Sequence, residues 1–82
     1  MLPDKNNLVR VRSSFAGDVE LKVAVGDYVV HGQALCVVEG DVQIETLSAR
    51  HPGRIVEIPV REGQTIENQQ LLVVMQQDPP KG

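Results

Sequence analysis

Apolar and polar residues alternate with a period of two in six short stretches of this chain: Leu8 to Arg12, Val19 to Val23, Ala34 to Glu39, Ile44 to Ser48, Ile55 to Val60 and Leu71 to Met75. That period gathers the apolar set on one face of an extended chain, so each stretch reads as a half-buried strand. Nowhere does the 3.6-residue period of a helix persist over three turns. Shorter extended pieces are expected at Tyr28-Val29 and Thr65-Ile66, each just after a glycine turn. Gly17, Gly26, Gly32, Gly40, Gly53 and Gly63 punctuate the strands at the spacing of tight turns. Short strands separated by turn glycines predict an all-β domain, a small sandwich or a barrel.

The pattern is written twice. Gly26-Asp27-Tyr28-Val29-Val30-His31-Gly32-Gln33-Ala34-Leu35 and Gly63-Gln64-Thr65-Ile66-Glu67-Asn68-Gln69-Gln70-Leu71-Leu72 align at a constant offset of 37, which also matches Val37 with Val74. Upstream the offset is 36, pairing Gly17 with Gly53 and Val19 with Ile55, so one half carries a single-residue length change. A duplication in so short a chain means two similar units that bury their apolar faces against each other, each supplying strands to both layers. The link between halves is the hairpin joining the Ala34 and Ile44 strands, with Gly40-Asp41-Val42-Gln43 at its tip. Gln69 stands where the first half has Gly32. If that glycine has a positive φ, the second turn is expected to take a different shape.

With 82 residues there is room for one domain. Its apolar residues are almost all Val, Leu, Ile and Ala, with Phe15 and Tyr28 the sole aromatics, a composition that favours strands. The net charge of −3 and the scattered Lys and Arg residues give little support to a phosphate-tracking surface, and base-stacking platforms are missing. Nucleic acid is therefore not an expected partner. No stretch approaches a membrane-spanning length and the first residues have no apolar signal region, so a cytoplasmic location is the expectation. Residues 1–7 and 76–82 are polar and Pro-bearing and read as flexible tails around a folded unit at 8–75.

A resemblance enters at this point. Phe15-Ala16-Gly17, Val25-Gly26-Asp27-Tyr28-Val29, Gly32-Gln33-Ala34-Leu35, Val42-Gln43-Ile44-Glu45-Thr46, Pro52-Gly53-Arg54-Ile55-Val56 and Val60-Arg61-Glu62-Gly63 are similar, in order, to elements of the biotinyl/lipoyl carrier domains. The resemblance covers roughly Leu8 to Met75. With the repeat, it implies a flattened β-barrel or sandwich of two four-stranded antiparallel sheets related by a pseudo-two-fold axis. In that family the hairpin tip carries a lysine to which a ligase joins biotin or lipoate. Here Gln43 occupies the lysine's place by motif, or Val42 by ungapped counting from Gly32-Gln33, and the lysines present are Lys5, Lys22 and Lys81, none of them near the tip.

The resemblance therefore implies no attached cofactor, and a non-catalytic domain that serves as a protein-interaction or structural module. The competing reading is a biotin carrier of a carboxylase or decarboxylase whose lysine was lost or changed to Gln43. Either way the expected partner is a protein, a carboxylase or another multienzyme component. Glu39, Asp41, Gln43 and Glu45 gather near the tip as a possible docking edge, although charge at an edge also guards against aggregation. His31 and His51 fall in separate turns with no cysteine or carboxylate cluster at zinc spacing, and read as solvated turn residues facing different parts of the repeat. Cys36, alone in an apolar run, reads as an inert buried thiol. No nucleophile-and-base set, phosphate loop or dinucleotide fingerprint is present, so no catalytic residue is expected.

Overall fold

A computed structural model describes residues 7–79. Within it the chain forms eight strands in the order β1 (Leu8–Arg12), β2 (Gly17–Leu21), β3 (Tyr28–Val29), β4 (Ala34–Glu39), β5 (Ile44–Ser48), β6 (Gly53–Glu57), β7 (Thr65–Ile66) and β8 (Leu71–Gln77). They make two four-stranded antiparallel sheets, β1-β8-β6-β3 and β5-β4-β2-β7. Under the repeat β1 corresponds to β5, β8 to β4, β6 to β2 and β3 to β7, so the second sheet has the strand order of the first. Each sheet mixes strands of both halves, as the duplication implies.

The core repeats this symmetry residue by residue. The ten largest fully buried side chains fall into five matched pairs: Val19 with Ile55, Val29 with Ile66, Leu35 with Leu72, Cys36 with Val73, and Val38 with Met75. Two matched glycines set how closely neighbouring strands of a sheet approach. A Cβ on Gly17 would lie 2.4 Å from the Glu39 carbonyl oxygen, and one on Gly53 would lie 2.3 Å from that of Gln76. At both places backbone passes backbone with no room for a side chain.

Strand limits shift where alternation alone is a poor guide. β2 and β6 begin two residues earlier than the pattern indicates, at those glycines, whose missing side chains hide them from a periodicity count. They also end earlier, at Leu21 and Glu57; β6 carries an irregularity between Ile55 and Glu57, and Pro59 has no N–H to continue a ladder. β8 runs two residues past Met75, so Gln76 and Gln77 belong to the sheet rather than to the tail, with Leu8 opposite Gln76 and Gly53 opposite Gln77. Asp78 is held as well, its N–H donating to the Pro52 carbonyl and its carboxylate accepting from the Tyr28 hydroxyl. Residues 1–6 and 80–82 of the expected tails lie outside the described residues.

The Gln69 turn departs from expectation. Gly26, Gly32 and Gly63 have positive φ, and so does Gln69, at 70°. The second turn keeps the shape of the first: Gly32 N–H donates to Ala49 O at 2.8 Å, and Gln69 N–H donates to Ser13 O at 3.1 Å. Buried Ser13 fastens it further, donating its hydroxyl to Glu67 O at 2.6 Å and accepting from Gln70 N–H at 3.1 Å. These bonds hold a side chain in a conformation that costs about 1–2 kcal/mol without glycine. Replacement by glycine should relieve that strain against a smaller entropic loss, so Gln69→Gly is expected to raise the unfolding free energy by about 0.5–1 kcal/mol in urea titrations. Leu35→Ala and Leu72→Ala, truncating matched core residues with 0% exposure, should each lower it by roughly 2–5 kcal/mol. A loss under about 0.5 kcal/mol from either would break the symmetry argument.

Candidate functional site

The hairpin between β4 and β5 projects from the sheet by four residues. Glu39 pairs with Ile44, and Gly40 N–H donates to Gln43 O at 2.7 Å, leaving Asp41 and Val42 as the two-residue apex. Val42 is 92% exposed and Ile44 66%, so an apolar pair stands in water at and beside the apex. Gln43 is exposed as well, its backbone carbonyl accepting from Gly40 N–H, and Val42 is the side chain at the apex itself. Neither an isopropyl group nor a carboxamide can form an amide with a carboxylic acid. Lys22 lies at the other end of the β2–β4 ladder: its N–H bonds to Leu35 O, four residues and roughly 13 Å from Glu39. Its ammonium pairs with Glu20 at 3.1 Å.

The proposed acidic edge splits. Glu39, Asp41 and Gln43 are exposed around the apex, whereas Glu45 turns inward. It stands opposite Val38 in the ladder, two pairs along from Cys36 and Leu47, and its Oε1 is buried with no hydrogen-bond donor among the described residues. Strand alternation explains the split, because in β5 the odd positions Glu45 and Leu47 face in and the even ones face out.

Glu45 lines a cleft of about 750 Å³ at the open side of the molecule, where β1 and β5, edge strands of opposite sheets, form the walls. Arg10, Arg12 and Arg50 line it, and so do both histidines. The sequence reading had His31 and His51 facing different parts of the repeat. The Gly32–Ala49 bond draws their turns together instead. Among the described residues no group of His, Cys, Asp and Glu could hold a metal ion. The cationic cluster was not legible along the chain because its members come from three separate segments; the one local signal was Arg10 and Arg12 two apart in a strand.

Residues 9–75 match the family model described as Biotin-requiring enzyme. No curated protein matches the chain. Among solved structures, a single-chain, multi-domain long-chain acyl-CoA carboxylase is similar with a TM-score of 0.79 at 24% identity, over 95% of this chain and 8% of that one. The urea carboxylase of Kluyveromyces lactis follows at 0.74 and 24%, over 92% of this chain and 6% of that one. An aspartoacylase family protein of Mesorhizobium loti scores 0.73 at 14% identity, over 88% and 24%. At these identities the likeness is one of fold, and this chain spans less than a tenth of either carboxylase. No helix among the described residues is long and apolar enough to cross a membrane.

Burial, and after it the neighbouring Glu45 carboxylate, pushes the Cys36 thiol up to about 11. The folded chain keeps this proton where the unfolded chain, with a thiol near 8.5, releases it. The associated stability is present in full below about pH 8.5 and is lost as the pH rises through about 11. Urea midpoints of the parent should therefore fall over that window more steeply than those of Cys36→Ala. An equal fall in the two would show that the thiol is not shielded.

Proposed function

Since the chain belongs to the Biotin-requiring enzyme family over residues 9–75, we propose that it is a biotinyl/lipoyl-type domain that carries no prosthetic group and works as a protein-interaction or structural module, not as an enzyme. One observation carries this reading: the apex of the hairpin is Asp41-Val42, with no primary amine at it or at Gln43. Biotin and lipoate are both joined through an amide on a lysine, so the residues present do not fit either group. The occurrence of the same fold within an aspartoacylase family protein supports a use of this scaffold that its shape alone does not tie to carboxylation.

A second reading has support of its own. The likeness to two carboxylases favours a carrier of a biotin-dependent carboxylase or decarboxylase from which only the amine is missing, with a carboxylase component as partner. The exposed apex favours Val42 over Gln43 as the position of the missing lysine.

Intact mass separates the readings. Produced together with a biotin ligase or a lipoate ligase, the parent chain should show its unmodified mass, allowing for removal of Met1. A gain of biotin or lipoate on Lys5, Lys22 or Lys81 would overturn the first reading. Val42→Lys and Gln43→Lys then report on the hairpin: no labelling of either is expected of a module that has drifted from carrier function, and labelling of Val42→Lys favours the second reading.

A further inference from the structure

Charge is sorted over this molecule in a way the net value of −3 conceals. Of the described acidic residues, Glu45 alone lines the β1/β5 cleft; Asp18, Glu20, Glu39 and Glu62 instead gather at a shallow depression on the β5-β4-β2-β7 sheet. Three of the described arginines and both histidines line the cleft. Among the described residues the only ion pair is Lys22 with Glu20, so the cleft arginines meet no described carboxylate at pairing distance. Beneath them the floor is apolar: Val9, Val11 and Leu47 are partly buried and pack on the core.

The walls add a further property. β1 pairs with β8 alone and β5 with β4 alone, so each presents a free edge of backbone donors and acceptors to the cleft, five residues or about 17 Å long. The buried Glu45 Oε1 is an acceptor still wanting a donor. Unpaired edge, apolar floor and cationic rim together describe what an added strand needs: main-chain partners, seats for every second side chain, and opposite charge for those between.

We propose that the β1/β5 cleft is a docking groove for an extended acidic segment of a partner protein, with apolar side chains alternating with carboxylates. This rests on the reading of the domain as an interaction module and names the surface and the partner's chemistry. The apolar residues of the segment sit on Val9, Val11 and Leu47, its carboxylates face Arg10, Arg12 and Arg50, and a main-chain N–H reaches Glu45. Nucleic acid fits less well, since neither Phe15 nor Tyr28 lines the cleft to stack a base.

The test uses a fluorescein-labelled peptide of three Val-Glu repeats, titrated with the full chain by fluorescence anisotropy at low salt. Saturable binding is expected, at least tenfold weaker in 0.5 M salt, with a Val-Lys peptide of equal length failing to bind. Arg10→Glu and Arg50→Glu should each weaken binding at least tenfold. Arg61→Glu, on an exposed residue outside the cleft, should leave it within twofold. Amide chemical shifts should move in β1 and β5 and stay still in β3 and β7, a readout that does not depend on any variant folding. Absence of saturation, equal weakening by Arg61→Glu, or tighter binding of a single-stranded oligonucleotide than of the peptide would each overturn the proposal. Biotin found on the parent chain would defeat the unmodified-module reading and leave the groove standing, so the two failures are told apart.

Discussion

Neither half of this chain has a core of its own. Each half deals its strands alternately into two sheets, and every fully buried side chain has its matched counterpart contributed by the other half. The hydrophobic driving force is thereby placed at the contact between the repeats, and the fold exists as both halves or not at all. The close approaches at Gly17 and Gly53 lie within the halves instead, where β2 meets β4 and β6 meets β8 at a distance that only backbone can occupy. In a domain this small a few such contacts make up a large part of the stability.

The interleaving also generates the surfaces. β4 and β5 belong to different halves, yet they pair, so the connection between the repeats becomes a projecting hairpin with Val42 at its end. β1 and β5 are matched edge strands, and the two-fold relation sets them side by side at the open flank, where the cleft forms between them. The symmetry fails in chemistry while holding in backbone. Arg10 has Thr46 as its counterpart, Arg12 has Ser48, and Arg50 has Ser14. The duplication supplied one scaffold twice, and the side chains at its flank have since become unlike.

Much of the fold was legible because strand alternation and turn glycines are local signals. Even the two-residue strands at Tyr28 and Thr65 could be read, since each follows a glycine turn of the repeat. The errors came where a local rule was overruled by a distant contact. Gln69 was expected to reshape its turn, and Ser13, more than fifty residues away, holds the shape instead. Glu45 was placed with the exposed acids of the hairpin until the register turned it inward. The cationic cleft was out of reach for a related reason: basic residues scattered along a chain are not scattered in space once its two edge strands lie together.

The position of β8 bears on the order in which this molecule can assemble. It is the last of the described strands in sequence and an inner strand of its sheet, lying between β1 and β6. As the chain leaves a ribosome, β2, β4 and β5 can pair as soon as Ser48 has emerged, while β1 has no partner and β6 has only the two-residue β3 until Gln77 is free. One layer thus stays unfinished, its apolar face open to water, until β8 enters between β1 and β6. Those long-range pairings are slow to form, and the domain is at its most adhesive just before β8 is in place.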